Sequence, residues 1–166
     1  MTIIRDYQDQ DSVEVGILIK NTYSEFNLSF LSLEDQDPFL GPFSHAGSSD
    51  PNHLNVIKGM IQSQFVYVAQ EGDKVVGVLR GRIGRLGSLF VAKSHQGHGV
   101  GKMLVERFEQ EIKSRGGGVI RVASSMYAIP FYSRMGYKKS TGIRNSWSFD
   151  GYGFPIQPMR KVLHNL

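Results

Sequence analysis

The chain contains no cysteine in 166 residues, which excludes disulfides, a thiolate nucleophile and cysteine-bound metal centres. It also lacks any apolar run long enough to span a bilayer, and the opening residues Met1 to Asp6 lack the apolar stretch of a signal peptide. A cytoplasmic protein without membrane contact is expected. The five histidines are scattered without metal-ligand spacing, so no metal site is expected. Nor is there a block of like charge. The 19 Lys and Arg exceed the 15 Asp and Glu by four, giving a pI near 9.4, but they are dispersed along the chain. Dispersed charge argues against nucleic acid as a partner and fits a polyanionic small molecule equally well. Linkers, repeats and low-complexity stretches are absent too. A single domain over residues 1–166 follows, large enough to bury a core unaided.

What is present is concentrated between Leu86 and Arg115. An apolar strand, Leu86 to Val91, leads through Gln96-Gly97-His98-Gly99-Val100-Gly101-Lys102 into a helix. That helix sets Leu104, Val105, Phe108 and Ile112 on one face and Lys102, Glu106, Glu109, Gln110 and Lys113 on the other, until Gly116-Gly117-Gly118 ends it. A second apolar strand, Val119 to Ala123, follows. This is a βαβ unit with parallel strands, and ligands of such units sit beyond the carboxyl ends of the strands. Glycines at alternate positions let backbone approach a ligand, and the helix start adds free N–H groups and the positive dipole end. The combination suits phosphate. A Walker A loop would need Gly at position 96 and Ser or Thr at 103, and a dinucleotide fingerprint would need a third glycine at 102; the chain has Gln96, Met103 and Lys102.

The arrangement Gln96-x-x-Gly99-x-Gly101 between strand and helix, followed about thirty residues on by Ala128-x-x-x-Tyr132-x-x-x-Gly136-Tyr137, resembles the two signatures of the GNAT N-acetyltransferase superfamily. The resemblance is specific over residues 65–137. It implies an α/β GNAT fold, a mixed sheet of six or seven strands with about four helices, that uses acetyl-CoA to acetylate a primary amine of a small molecule or peptide. A homodimer is the family's common assembly. In that pattern the main-chain N–H groups of Gly97, His98, Gly99, Val100, Gly101 and Lys102 hold the pyrophosphate, with Gln96 and Lys102 able to add contacts. Leu89, Phe90 and Val91 lie along the pantetheine arm, Ser125 and Phe131 flank the cofactor, and Tyr132 is the catalytic acid. A phenol with an unperturbed pKa of about 10 stays protonated at neutral pH and can donate to the departing thiolate. Bulky residues at Gly99 or Gly101 are expected to block the cofactor by clash.

The chain departs from the pattern twice. Ser125 stands where many members have Asn, and Leu86 to Val91 carries no carboxylate, a common place for the general base. His45, His53, Glu25 and Glu34, in the acceptor region, and His95 and His98, beside the loop, are the other titratable groups, and none is assigned as base. The alternative is a non-catalytic acyl-CoA-binding sensor.

Elsewhere the pattern reads as a strand at Thr2 to Asp6 and a helix capped by Asp9 to Ser12 that packs through Val13, Ile17, Leu18 and Phe26. An irregular aromatic segment follows over 27–52 and then a helix from Asn52 or His53 to Ile61. Gln64 to Gln70 and Lys74 to Ile83 form a hairpin about Glu71-Gly72-Asp73. One strand is expected within 138–149 and a last one over Pro155 to Leu163, separated by a long turn at Gly151 and Gly153. The aromatic stretch Leu28 to Phe43 and the late Trp147, Phe149, Tyr152 and Phe154 suggest a partly apolar acceptor site, a core, or a dimer contact.

Overall fold

Alternating side chains along the central strands send neighbours to opposite faces, and both faces are covered. The computed structural model describes residues 1–164, so the domain expected over 1–166 runs two residues beyond them. In order the elements are β1 (Thr2–Asp6), α1 (Ser12–Thr22), α2 (Asp37–Leu40), α3 (Pro51–Ile61), β2 (Phe65–Glu71), β3 (Lys74–Arg82), β4 (Arg85–Val91) and α4 (Val100–Ser114). They continue as β5 (Val119–Ser125), α5 (Ile129–Arg134), β6 (Lys138–Lys139), β7 (Arg144–Ser148) and β8 (Gly151–Val162). One eight-stranded sheet runs β1-β2-β3-β4-β5-β8-β6, with β7 paired to β8. Its one parallel pair among the described residues is β4 with β5.

Tyr67, Leu79, Leu86 and Ile120 pack against Leu104, Val105, Phe108 and Ile112 of α4 on one face. On the other, Val68 and Val78 meet Val15, Leu18 and Ile19 of α1 and Ile57 and Ile61 of α3. A third cluster, Leu28, Phe39, Leu40, Phe154 and Ile156, seats the 28–45 segment on the first half of β8. Each of these fully buried side chains contributes about 1.5–3 kcal/mol relative to exposure. No helix among the described residues is long and apolar enough to cross a membrane.

Four expectations are corrected. The α1 packing stripe is Val15, Leu18, Ile19 and Thr22, while Val13 and Ile17 are exposed. The helix carries apolar residues all round, and the spacing i, i+3, i+4, i+7 decides which ones face the sheet. It stops at Thr22, before Phe26, in a wide turn over Tyr23–Asn27 closed by the Leu28 N–H to the Tyr23 carbonyl at 2.9 Å. There are eight strands and five α-helices among the described residues because the short β6 and β7 are separate, Gly151 already belongs to β8, and α2 forms inside the irregular segment. Finally, Glu109 does not lie on the wet face of α4. It is 7% exposed, paired with Lys161 Nζ at 2.8 Å and accepting from Tyr137 Oη at 3.2 Å.

Candidate active site

The parallel pair holds for only two positions, Arg85 opposite Arg121 and Leu86 opposite Val122. At that point β4 carries a bulge: Arg80 pairs with Ser88 and Gly81 with Leu86, leaving Gly87 as the extra residue. A bulge adds twist and bends its strand. Beyond it β4 keeps only β3 as a partner, while β5 keeps only β8, so the strands part toward their carboxyl ends. The Ala92 N–H bonds the Val76 carbonyl at 2.8 Å. By the alternation of an antiparallel ladder, Phe90 and Ser88 then also turn their main-chain groups to β3, and Leu89 and Val91 turn theirs into the opening. Of the three residues expected along the arm, Leu89 and Val91 therefore turn their backbone to the gap, the Val91 carbonyl already accepting from Gln96 Nε2. Phe90 offers a side chain, on the face opposite α4.

The loop after β4 lies at the mouth of this opening. Gly97 and Gly99 adopt φ of +77° and +84°, the left-handed region, and a Cβ on either would meet no atom within 4 Å. That open space above the backbone is where an anion has room. Gly99 is the N-cap of α4, and its carbonyl accepts the first intrahelical bond, from the Met103 N–H at 3.0 Å. The N–H groups of Val100, Gly101 and Lys102 consequently have no partner inside the helix. Gly101 is small for another reason: a Cβ there would stand 3.1 Å from the Phe131 ring, which packs α5 against the first turn of α4. Lys102 is exposed, with Glu106 at 3.9 Å, and His98 is exposed. The Gln96 side chain turns away from the loop, donating from Nε2 to the Val91 carbonyl at 3.0 Å and accepting from Tyr127 Oη at 2.7 Å.

At the end of β5, Ser125 Oγ accepts the Ala128 N–H at 3.3 Å, a local cap that turns the chain into α5. That short helix carries Tyr132 into the α4-side core. The ring is 4% exposed and meets Phe131 and Tyr137 edge to face, at 5.2 and 5.5 Å between centroids. Burial pushes the Tyr132 phenol far above its usual range. The same cause, with the Glu109 carboxylate beside it, raises Tyr137. Tyr132 is therefore protonated throughout the neutral range.

Opposite α4, the Tyr23–Asn27 turn covers the parted strands. The Tyr23 ring meets Phe90 of β4 edge to face and stacks on Phe154 of β8, each at 5.7 Å between centroids, and its hydroxyl lies 2.5 Å from Ser148 Oγ. Phe26 stacks on Tyr127 at 5.0 Å, and Glu25 pairs with Lys93 at 2.7 Å. The late aromatics separate: Phe154 is inside, whereas Trp147, Phe149 and Tyr152 are exposed, with Trp147 at 66%.

Sequence reasoning missed Tyr23, Tyr127 and Ser148. Their partners lie 31 or more residues away, so no local pattern announces them. The remaining titratable groups are engaged elsewhere or exposed. His95 meets Glu71 at 2.8 Å, His45 and His53 stack on each other at 4.0 Å, and Glu34 is exposed. Two shallow depressions of about 390 and 490 Å³ sit beside α1, lined by residues such as Arg5, Glu14 and Val75, and include none of the motif residues.

A mixed sheet whose parallel pair parts around a glycine loop, a helix start and a buried tyrosine defines an α/β fold of the acyl-CoA N-acyltransferase kind. Residues 46–163 match the family described as acetyltransferase (GNAT) domain, and the chain belongs to that family. It is 32% identical over 75 residues to an uncharacterized N-acetyltransferase, YjcF, of Bacillus subtilis (strain 168). That match takes in 43% of this chain and spans about half, 54%, of the relative. Among solved structures, a GCN5-related N-acetyltransferase from Rhodopseudomonas palustris superposes with a TM-score of 0.78 at 18% identity, over 98% of this chain and 96% of that one. The PaiA N-acetyltransferase of Thermoplasma acidophilum, in complex with coenzyme A, gives 0.71 at 17% identity, over 98% and 99%.

Proposed function

We propose that this protein is an acetyl-CoA-dependent N-acetyltransferase acting on a primary amine by direct transfer. The observation that supports this most is the parting of β4 from β5 beyond Leu86, with Leu89, Val91, the glycine loop and the start of α4 all turned to the gap. A long, polyanionic thioester fits those residues: open space over Gly97 and Gly99, N–H groups at Val100 to Lys102 without helical partners, and the Leu89 main-chain groups and Val91 N–H turned to the gap. When bound, acetyl-CoA supplies the activated acetyl group, and the reaction leaves coenzyme A as its thiol.

The chain's own residues then have separate tasks. The N–H groups of Gly97 through Lys102 hold the phosphates. Leu89 and Val91 offer main-chain groups to the amide-bearing arm as an added strand would. Gln96 holds the Val91 carbonyl and so shapes that edge. Tyr132 holds a proton at Oη for the sulfur. Because its phenol is raised, it serves as a hydrogen-bond donor to developing negative charge and stays un-ionised through the neutral range. The amine nitrogen bonds the acetyl carbon as the carbon–sulfur bond breaks; the Tyr132 Oη proton passes to the departing sulfur, and the surplus proton of the nitrogen, released to solvent, is matched by one that restores the phenol. No carboxylate on β4 is available to take it, so the neutral fraction of the amine is what reacts. The lack of cysteine supports direct transfer and a cytoplasmic setting.

Tyr132→Phe tests the assignment of the acid. Loss of the hydroxyl should lower kcat about 10²–10⁴-fold with coenzyme A affinity unchanged. An unchanged kcat at saturating substrates removes Tyr132 from the mechanism.

A further inference from the structure

On the acetyltransferase reading the amine approaches from the face of the parted strands opposite α4, and rings gather on that face. Phe90 stands on β4 beyond the bulge, and Phe154 stands on β8 just past the position where Ile156 pairs with Ser125, the last residue of β5. Tyr23 reaches both, so one ring set spans the two arms of the opening. Phe30, 54% exposed, extends it outward with centroids 6.4 Å from Phe154 and from Phe39. Phe26 on Tyr127 borders it toward the glycine loop.

Charge is missing from among the rings themselves, although Glu34, Asp35 and Asp37 of the same 28–45 segment are exposed. The one carboxylate of the Tyr23–Asn27 turn, Glu25, is paired with Lys93, and β4 carries none. The polar atoms within the set are hydroxyls, Tyr23 Oη and Ser148 Oγ, bonded to each other, with Ser148 also donating to the Phe39 carbonyl at 2.8 Å. A polycationic acceptor would have to shed water from any ammonium group that enters among the rings, where no carboxylate stands to receive it. An aromatic monoamine loses only apolar hydration over most of its surface, and the low-polarity surroundings favour its neutral, reactive form.

From this juxtaposition we infer that the acceptor is a monoamine with an aromatic body, selected by the half-buried Tyr23 and Phe90 rings over the buried Phe154, with Tyr23 the specificity-determining residue. The inference rests on the acetyltransferase reading above. It makes Tyr23 act through its ring, so Tyr23→Phe preserves selection and Tyr23→Ala loses it.

The experiment measures coenzyme A affinity by calorimetry and kcat/KM by thiol release for 2-phenylethylamine, spermidine and kanamycin. Wild type, Tyr23→Phe and Tyr23→Ala are compared. Phenylethylamine should exceed spermidine in kcat/KM by at least about tenfold, the scale of one well-placed ring contact. Tyr23→Ala should lower kcat/KM for phenylethylamine about tenfold, mainly through KM, with spermidine and coenzyme A affinity unmoved. Tyr23→Phe should stay near wild type. Preference for spermidine or kanamycin, or an unchanged phenylethylamine kcat/KM in Tyr23→Ala, overturns the inference while leaving the acetyltransferase reading standing. No thiol release with phenylethylamine while coenzyme A still binds also overturns the inference alone, and failure to bind coenzyme A overturns both.

Discussion

Gly99 and Gly101 lie two residues apart in the same loop, yet replacing them should cost stability for unrelated reasons that a double-mutant cycle separates. At Gly99 an added Cβ meets nothing within 4 Å, but φ is +84°, and a left-handed residue with a Cβ costs about 1–2 kcal/mol. At Gly101 the backbone is helical, and the Cβ would press on the Phe131 ring at 3.1 and 3.2 Å. Overpacking of this kind costs about 1–3 kcal/mol. In a chain of this length either loss corresponds to about 2–4 °C in Tm per kcal/mol. Phe131→Leu removes the ring and discriminates the two. Gly101→Ala combined with Phe131→Leu should be less damaging than the sum of the single changes, with coupling of about 0.5–3 kcal/mol. Gly99→Ala combined with Phe131→Leu should be additive within about 0.5 kcal/mol. Urea midpoints with constant m values give all four quantities. Equal coupling at both positions, or none at Gly101, would refute the assignment of backbone strain to one glycine and steric contact to the other.

Further consequences concern the buried ionic and phenolic groups. Glu109→Ala strands the Lys161 ammonium and leaves Tyr137 Oη without its acceptor, so urea unfolding should show a loss of about 3 kcal/mol, the low end for a broken buried pair because Lys161 keeps some contact with water. Tyr132 and Tyr137 both have phenols raised in the folded chain. Above the unfolded tyrosine pKa of about 10 the folded state therefore binds more protons than the unfolded one, and stability falls as pH rises from there. Urea midpoints at pH 8 through 11 should decline only above about 10, and Tyr137→Phe should flatten that decline. Without a carboxylate base, kcat/KM for an aliphatic amine should rise about tenfold per pH unit below the amine's own pKa, and a plateau beginning near pH 7 would reveal a titrating base that this account omits.

The legible parts of the chain were those whose cause is local. Left-handed glycines at 97 and 99, the helical stripe through Leu104, Phe108 and Ile112, and the hairpin about Gly72 each write their geometry into a few adjacent residues. The parting of β4 from β5 was not legible, because it depends on a bulge at Gly87 that shows only in the register with β3. The α1 face was ambiguous for a different reason. Val13, Val15, Ile17, Leu18 and Ile19 offer apolar residues to every side, and only the packed sheet chooses among them. Glu109 reads as solvated until Lys161, 52 residues later, is folded against it. The same holds for the aromatic residues. Their abundance was evident, but only the tertiary fold shows that Tyr23 stacks on a buried Phe154 while Trp147 and Tyr152 face solvent.

The most direct test of the central claim is release of free coenzyme A thiol from acetyl-CoA by the purified full chain, with and without each amine of a panel spanning aromatic monoamines, polyamines, amino acids and short peptides. Release that depends on the added amine, with the amine recovered as its acetamide, is the predicted result. Tight binding of acetyl-CoA with no amine-dependent release across the panel would contradict catalysis and leave a cofactor-binding sensor as the reading of the same cleft.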